Sequence, residues 1–260
     1  MIETVAVRLT GGFAWAAEIA GFAARAVRDA FRPPFEVAET LHQVYEVGSR
    51  SLLLIAAAGF SVGAVLSMHT RASLERFGAE ALIPAGLALA LTKETGPLVA
   101  GLLFSGRVGA GIGAELGAMR VTEQIDALES IAVDSFKYLV VTRVVACVIA
   151  LPILTTVMNF TGIIGGYAAE TVISGMSFAL YFDRAFSSLD FVDYVPPTLK
   201  TAVFGFIIST VSCYLGYNAK GGSAGVGQAS TRSVVFASIS LIVSNVVLVK
   251  LIAFLFPGAA

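Results

Sequence analysis

The sequence predicts an all-α integral membrane protein with five transmembrane helices. Of its 260 residues, 57% are hydrophobic and only 13% are charged, and the mean hydropathy is +0.84. Soluble domains contain about 45–50% apolar and about 25% charged residues. A water-soluble core of this size cannot hide so much apolar surface, so lipid must solvate a large part of it.

The first 50 residues are predicted to form an N-terminal amphipathic region in the membrane interface. Ile19 and Phe22 recur at helical spacing, but arginines and Glu18 interrupt any apolar run long enough to cross about 30 Å of hydrocarbon. Pro33-Pro34 should end the first helix because proline has no N–H. A second short helix is expected at about residues 35–47. A soluble helical hairpin is the alternative interpretation.

Five apolar runs follow within residues 51–260, and each is close to the roughly 20 residues that a spanning helix needs. Backbone groups in hydrocarbon must be hydrogen-bonded internally, so helices are the expected structure. The runs lie at about residues 51–69, 82–104, 144–167, 198–217 and 234–256.

The basic residues predict the orientation of these spans. Eleven lysines and arginines fall in the N-terminal segment and the second and fourth connections, against four on the opposite side. Cytoplasmic loops carry the excess of Lys and Arg. The N-terminus is therefore expected in the cytoplasm and the C-terminus outside, in the periplasm. The net charge of −1 argues against a nucleic-acid partner.

The second span carries two adjacent charges, Lys93-Glu94, followed by Gly96-Pro97. A charge near the middle of the membrane costs at least about 2.5–3.5 kcal/mol, so these groups should face protein, water or a ligand. Pro97 cannot donate to the carbonyl of Lys93, which predicts a local kink. The pair is interpreted either as functional or as a polar lock between helices.

A polar helix is predicted between the second and third spans, at about residues 115–132. Val121, Ile125, Leu128 and Ala132 form one apolar stripe on it. This spacing is equally typical of a helix that docks on a partner protein and of one that lies on its own bundle.

Enzymatic motifs are not found. The segment KGGSAGVG lacks the GK[ST] ending of a phosphate-binding loop and is predicted to be a tight turn. His42 and His69 are far apart, and no clustered metal ligands occur. Cys147 and Cys213 lie inside apolar runs and are interpreted as small hydrophobic residues. The chain is therefore expected to be no enzyme and to hold no cofactor or metal.

Residues 93–146 carry the most specific pattern in the chain. They read KETGPLVAGLLFSGRVGAGIGAELGAMRVTEQIDALESIAVDSFKYLVVTRVVA, and a second motif, GYNAKGGSAGVGQASTRSVV, follows at residues 216–235. Both resemble the motifs of the MlaE/YrbE permease family. Lys93 replaces an arginine of the family pattern, and Asn245 stands where several members carry an acid.

The resemblance implies the permease subunit of a lipid-moving ABC transporter in the bacterial inner membrane. Such transporters move phospholipid between the inner and outer membranes and maintain the lipid asymmetry of the outer membrane. The expected partners are a second copy of the chain, separate ATPase subunits that hold ATP and Mg, a periplasmic MCE-domain protein and, as in many members of the family, a STAS-domain protein. A cytoplasmic coupling helix would contact the ATPase, which favours docking for residues 115–132.

The resemblance also implies roles for individual residues. Lipid binding and the lipid pathway would involve Leu66, Leu74, Phe77, Lys93 and Glu94. Coupling to the ATPase would involve Glu115, Arg120, Glu123 and Asp126. The direction of transport and the preferred headgroup stay open. Two rival hypotheses are a secondary lipid transporter that uses Glu94 as a proton relay, and a membrane scaffold for an MCE-protein complex.

Overall fold

The chain folds as helices in the computed structural model, which describes residues 2–256 and the side chains from residue 14 onward. No β-strand occurs within that range. Its α-helices are α1 (Ile2–Ala30), α2 (Val37–Leu74), α3 (Ile83–Ala90), α4 (Gly96–Phe104), α5 (Ala110–Val121), α6 (Gln124–Ser130), α7 (Thr142–Ser174), α8 (Phe178–Ser187), α9 (Phe191–Tyr217) and α10 (Gly222–Leu255).

Five helical stretches of the described chain are long and apolar enough to cross a membrane, which confirms the predicted number of spans. In chain order they are the first to fifth spans: Val37–Phe77, Glu80–Val121, Lys137–Ser174, Phe191–Tyr217 and Gly222–Leu255. Each begins before the predicted run. Hydropathy marks only the part of a helix that matches the hydrocarbon, whereas the hydrogen-bonded helix continues into polar sequence.

The predicted second short helix at residues 35–47 is wrong. Those residues form the first turns of α2, which runs without a break from Val37 to Leu74. No proline separates Val47 from Ser51, and a single glycine at position 48 does not stop a helix that packs well. The boundary placed at residues 50 and 51 therefore lies inside one helix. The end of α1 at Ala30, shortly before Pro33-Pro34, agrees with the prediction.

The first and third spans pack against each other through glycines. A Cβ atom at Gly63 would overlap the carbonyl oxygen of Gly162, and one at Gly165 would overlap the carbonyl oxygen of Phe60. Because these positions lack a side chain, the backbones of α2 and α7 approach closely, as small residues allow in membrane helix pairs.

A buried ion pair joins the same two helices near the C-terminal end of each. Arg71 Nη2 lies 2.5 Å from Glu170 Oε2, and Ser67 Oγ donates to Glu170 Oε1 at 3.0 Å. The Glu170 side chain is fully buried. Arg71 also reaches Glu80, at the start of the second span, at 3.4 Å. Neither residue of this pair was predicted to be paired from the sequence.

Helices of the second and third spans contain π-helical turns at Leu91–Thr95, Ser105–Gly109 and Lys137–Val141. The kink expected before Pro97 takes the form of the first of these turns. There the N–H of Gly96 donates to the carbonyl of Leu91, five residues earlier, and Pro97 lies in the first turn of α4. The wider turn accommodates the missing proline donor, so the span continues as one helix.

Candidate functional site

The charged residues of the second span contact two other spans. Glu94 Oε1 accepts a hydrogen bond from Lys200 Nζ of α9 at 2.8 Å, and Glu94 Oε2 accepts one from Asn245 Nδ2 of α10 at 3.0 Å. Lys93 Nζ lies 3.0 Å from Asp193 Oδ1, at the start of α9. The two neighbouring charges therefore have different partners, and the π-helical turn connects the second span to both α9 and α10.

Lys200 compensates for the missing donor of Pro97. Its ammonium group donates to the carbonyl oxygen of Lys93 at 3.0 Å, and this is the carbonyl to which Pro97 cannot donate. Only 2% of the Lys200 side chain is exposed. A buried ammonium group needs partners of this kind to offset its lost hydration.

Asp193 is held in place by the helix that carries it. The backbone N–H of Asp190 donates to Asp193 Oδ2 at 3.2 Å, and the side chain of Asp190 accepts from the backbone of Asp193, which forms a capping box. The Asp193 carboxylate thereby bridges the N-terminus of α9 and the Lys93 ammonium group.

A cavity of about 150 Å³ lies beside these charges. Glu94 is paired but its side chain is still 42% exposed, so the carboxylate faces the cavity. Lys93 and Lys200 supply the other charges, and the rest of the lining is apolar. The apolar residues are Val192, Pro197, Val249, Ile252 and Ala253. A charged wall opposite aliphatic side chains suits an amphipathic ligand.

The residues expected to line the lipid pocket together with Lys93 and Glu94 lie elsewhere in the single chain. Leu66 is half-buried and lines a shallow concavity of about 320 Å³ on the first span, with Val62, Val65 and His69. Leu74 is half-buried at the end of α2, and Phe77 is 82% exposed in the turn that follows. One copy of the chain therefore does not bring the five predicted residues into one cavity.

The predicted single helix over residues 115–132 is wrong. α5 continues the second span to Val121, and α6 begins only at Gln124. Between them Glu123 adopts a left-handed conformation, with φ of 61°. A residue in that conformation cannot continue a right-handed helix, so the chain turns there. The predicted range therefore comprises the end of α5, a turn and the two helical turns of α6.

The apolar side of α6 packs on the chain's own bundle. Ile125 is completely buried in the main core, and Leu128 packs against the same core. Glu123, Asp126 and Glu129 are exposed. The apolar stripe is therefore used within the chain, and an acidic surface is left for contact with other molecules.

Two ion pairs hold three of the four predicted coupling residues, and Glu123 lies in the turn between two of them. Arg120 Nη1 lies 2.6 Å from Asp126 Oδ1 and closes the turn that contains Glu123. Glu115 lies further back on α5, where its Oε1 accepts from Arg143 Nη2 at 2.8 Å. The structure thus brings Arg120, Glu123 and Asp126 together and places Glu115 on a separate contact with the third span.

Tyr217 links this turn region to other elements. Ser135 Oγ lies 2.6 Å from Glu129 Oε1 and 2.9 Å from the Tyr217 hydroxyl. The ring of Tyr217 also contacts those of Phe22 on α1 and Phe136, with centroid separations of 6.4 and 6.2 Å. Sequence reasoning missed this cluster because aromatic residues spread over 195 positions carry no common spacing.

The family model described as Permease MlaE matches residues 40–251. A probable ABC transporter permease protein of Rickettsia bellii is 40% identical over 230 residues, which cover 88% of this chain and 89% of the relative. The intermembrane phospholipid transport system permease protein MlaE of Haemophilus influenzae is 33% identical over 198 residues, or 76% of each chain.

A plant relative extends the comparison beyond bacteria. The chloroplastic protein TRIGALACTOSYLDIACYLGLYCEROL 1 of Arabidopsis thaliana is 33% identical over 220 residues, which cover 85% of this chain and 62% of the relative. The family match covers the first span from residue 40, the charged π-helical turn, the turn at Glu123 and most of α10. The chain is thus a multi-pass membrane protein that belongs to the MlaE permease family.

Proposed function

We propose that this chain is the membrane permease subunit of an ABC transporter that moves phospholipid between the inner and outer membranes of a bacterium and so maintains lipid asymmetry. Family membership supports a lipid-transport permease. The observation that carries the more specific proposal is the cavity beside Glu94, where charges held by Lys200 and Asn245 lie next to aliphatic side chains. A phospholipid has this same combination of charged and apolar parts.

An ATPase subunit would supply the energy, since the sequence carries no phosphate-binding loop of its own. The exposed acidic surface at Glu123 and Asp126 is the proposed contact, with Arg120 fixing the turn. Because α6 is anchored by Ile125, a force on this surface would reach the spans directly. ATP and Mg would be held entirely by that partner.

A second copy of the chain would complete the lipid chamber. The apolar windows of the first and fifth spans are only 28% and 11% buried within one chain, against half or more for the three other spans. The concavity around Leu66 also lies open on the first span. Two copies that face each other through this span would enclose Leu66, Leu74 and Phe77, which one copy leaves apart.

The proposed location is the inner membrane, with the N-terminus in the cytoplasm and the C-terminus in the periplasm. Lys137 Nζ donates to the carbonyl of Arg32 at 2.5 Å, so the linker after α1 and the segment after α6 lie at the same end of the bundle. This agrees with placing both basic segments in the cytoplasm. A periplasmic MCE-domain protein at the opposite end and a STAS-domain protein on the ATPase complete the proposed assembly.

Reconstitution tests this proposal. The chain is purified with the proteins that accompany it, placed in vesicles with fluorescent phospholipid, and assayed for transfer with and without ATP. Glu94→Ala and Lys93→Ala should each lower the transfer rate about tenfold, since each removes a charge-assisted contact, while the complex stays assembled. Asp183→Ala, an exposed acid on α8, is the matched control and should leave the rate unchanged.

The same assay separates the rival functions. A secondary transporter would transfer lipid at the same rate with and without ATP. Its transfer would stop when a protonophore collapses the proton gradient. Assembly of the complex without any lipid transfer or bound lipid would indicate a scaffold.

A further inference from the structure

A second, larger cavity lies at the other end of the second span. It has a volume of about 440 Å³ and lies between the first half of α2 and the segment of residues 107–115. Arg107 is 13 residues beyond Glu94, which corresponds to about 20 Å along a helix. The cavity is therefore separate from the one beside Glu94.

The charges around this cavity leave one arginine without a counter-ion. Glu46 Oε2 pairs with Arg50 Nη2 at 2.6 Å, and Glu115 pairs with Arg143 at 2.8 Å. Arg107 also lines the cavity, is exposed, and makes no hydrogen bond or ion pair with any residue that the structure describes. Since Glu46 and Glu115 are each paired with another arginine, the guanidinium group of Arg107 has no acidic partner among the described residues of the cavity wall.

The surroundings of this arginine resemble the boundary between headgroups and hydrocarbon. Ser51 lines the cavity, and its hydroxyl is buried without a hydrogen-bond partner in the described chain. Immediately after it on α2 come Leu52, Leu53 and Leu54, which are 46%, 81% and 42% exposed. These leucines follow the cavity residue Ser51 directly on α2, so a molecule held at Arg107 would have exposed apolar surface on the helix that forms one wall of the cavity.

We infer that this cavity binds a phosphate group, and that its source is the headgroup of a phospholipid in the leaflet at this end of the bundle. The guanidinium fork of Arg107 matches two phosphate oxygens, and the leucines of α2 accept the acyl chains. The inference rests on the proposed function. It adds a second lipid position, about 20 Å from the charged cavity, where lipid enters or leaves the chain.

Cross-linking from inside the cavity tests this inference. Gly111 lines the cavity, and a Cβ atom there would meet nothing within 4 Å. Gly111→Cys can carry a benzophenone maleimide, and labelling is selective because Cys147 and Cys213 are fully buried. The labelled chain, with its accompanying proteins, is irradiated in nanodiscs of phosphatidylglycerol or of a phosphate-free galactolipid, and adducts are identified by mass spectrometry.

The expected result is an adduct with phosphatidylglycerol and little with galactolipid. Arg107→Gln should lower the yield about tenfold, since it removes a charged hydrogen-bond donor, and Arg107→Lys should lower it less. Arg232→Gln is the matched control: Arg232 is exposed on α10 and is also without a partner in the described residues, so the yield should not change. Elution at the wild-type volume in size-exclusion chromatography shows that each variant is folded.

Inorganic phosphate distinguishes the two sources of the anionic group. If millimolar phosphate leaves the adduct unchanged, the lipid headgroup is the ligand. If phosphate abolishes the adduct in the wild-type chain but does not affect what remains in Arg107→Gln, the site binds phosphate and the lipid assignment is overturned. Equal yields from Arg107→Gln and wild type, equal yields from galactolipid, or cross-links only to protein overturn the whole inference.

Lipid transfer measured on the same samples without the label separates this inference from the proposed function. If lipid is transferred with ATP but no adduct forms that requires the phosphate group of the lipid, the second lipid position alone is refuted. If an adduct forms that requires the phosphate group of the lipid but no lipid is transferred with ATP, the proposed transport function is refuted and the binding site is supported.

Discussion

Lys200 lies 2.8 Å from Glu94 and joins the fourth span to the second inside the apolar bundle. The same ammonium group donates to the Lys93 carbonyl that Pro97 leaves without a backbone donor. One side chain thus satisfies both a carboxylate and a carbonyl of the π-helical turn. The pair of Lys200 and Glu94 is a polar contact between two helices and also forms part of the cavity wall.

Removing Lys200 should destabilise the chain. Lys200→Met leaves Glu94 without its counter-ion and should lower the free energy of unfolding by about 2 kcal/mol, less than for a fully buried pair because Glu94 is half-exposed. Unfolding in detergent, followed by circular dichroism, measures the change. The double variant Lys200→Met with Glu94→Gln should recover part of the loss, and strictly additive effects would show that the two residues do not interact.

The pair of Arg71 and Glu170 should contribute more, because Glu170 is fully buried. Arg71→Met leaves an uncompensated carboxylate and should cost about 3–5 kcal/mol, whereas replacing both residues by methionine should cost much less. The control is Arg50→Met, at an exposed pair with Glu46 on the same helix, which should change stability by no more than about 0.5 kcal/mol. Similar losses for Arg71→Met and Arg50→Met would contradict the buried geometry.

The glycine contact between α2 and α7 should tolerate no side chain. Gly63→Ala should lower stability by about 1–3 kcal/mol because the new methyl group overlaps the Gly162 backbone. Gly48→Ala lies on the same helix, with open space around the new Cβ, and should be neutral or stabilising by up to about 1 kcal/mol. Thermal unfolding of the two variants in one detergent compares them directly, and a stable Gly63→Ala would show that the helices are further apart.

The acidic surface at the turn after α5 should matter for ATPase binding and little for folding. Glu123→Lys changes an exposed side chain and should alter stability by no more than about 0.5 kcal/mol. It should weaken co-purification of the ATPase, which quantitative mass spectrometry of the purified complex measures. Asp183→Lys makes the same charge change on α8 and should leave the complex intact. Equal amounts of co-purified ATPase with both variants would show that the ATPase binds a different surface of the chain.

The spans were predictable because hydropathy reports directly on burial in lipid. The charged residues in the second span were also recognisable, because a charge within an apolar run costs free energy unless it has a partner. Their partners were not: Lys200, Asp193 and Asn245 lie about 100 to 150 residues away, and only the packed bundle brings them to Lys93 and Glu94.

The break between α5 and α6 escaped prediction for a different reason. Val121, Ile125 and Leu128 keep helical spacing, and Glu123 is a good helix former, so no local signal marks the turn. The burial of Ile125 against the core is a tertiary contact that accompanies the turn, and the ion pair between Arg120 and Asp126 closes it. The prediction of a separate short helix at residues 35–47 was wrong for the opposite reason, because α2 continues where the hydrophobic pattern weakens.

Tyr217 makes the turn region and the N-terminal helix mechanically dependent on each other. Its hydroxyl is bound to Ser135 and Glu129, and its ring lies against Phe22 of α1. A displacement of α6 by a partner would therefore pull on the end of α9 and tilt α1 at the same time. The positions of α1, α6 and the end of α9 are thereby coupled through one aromatic residue.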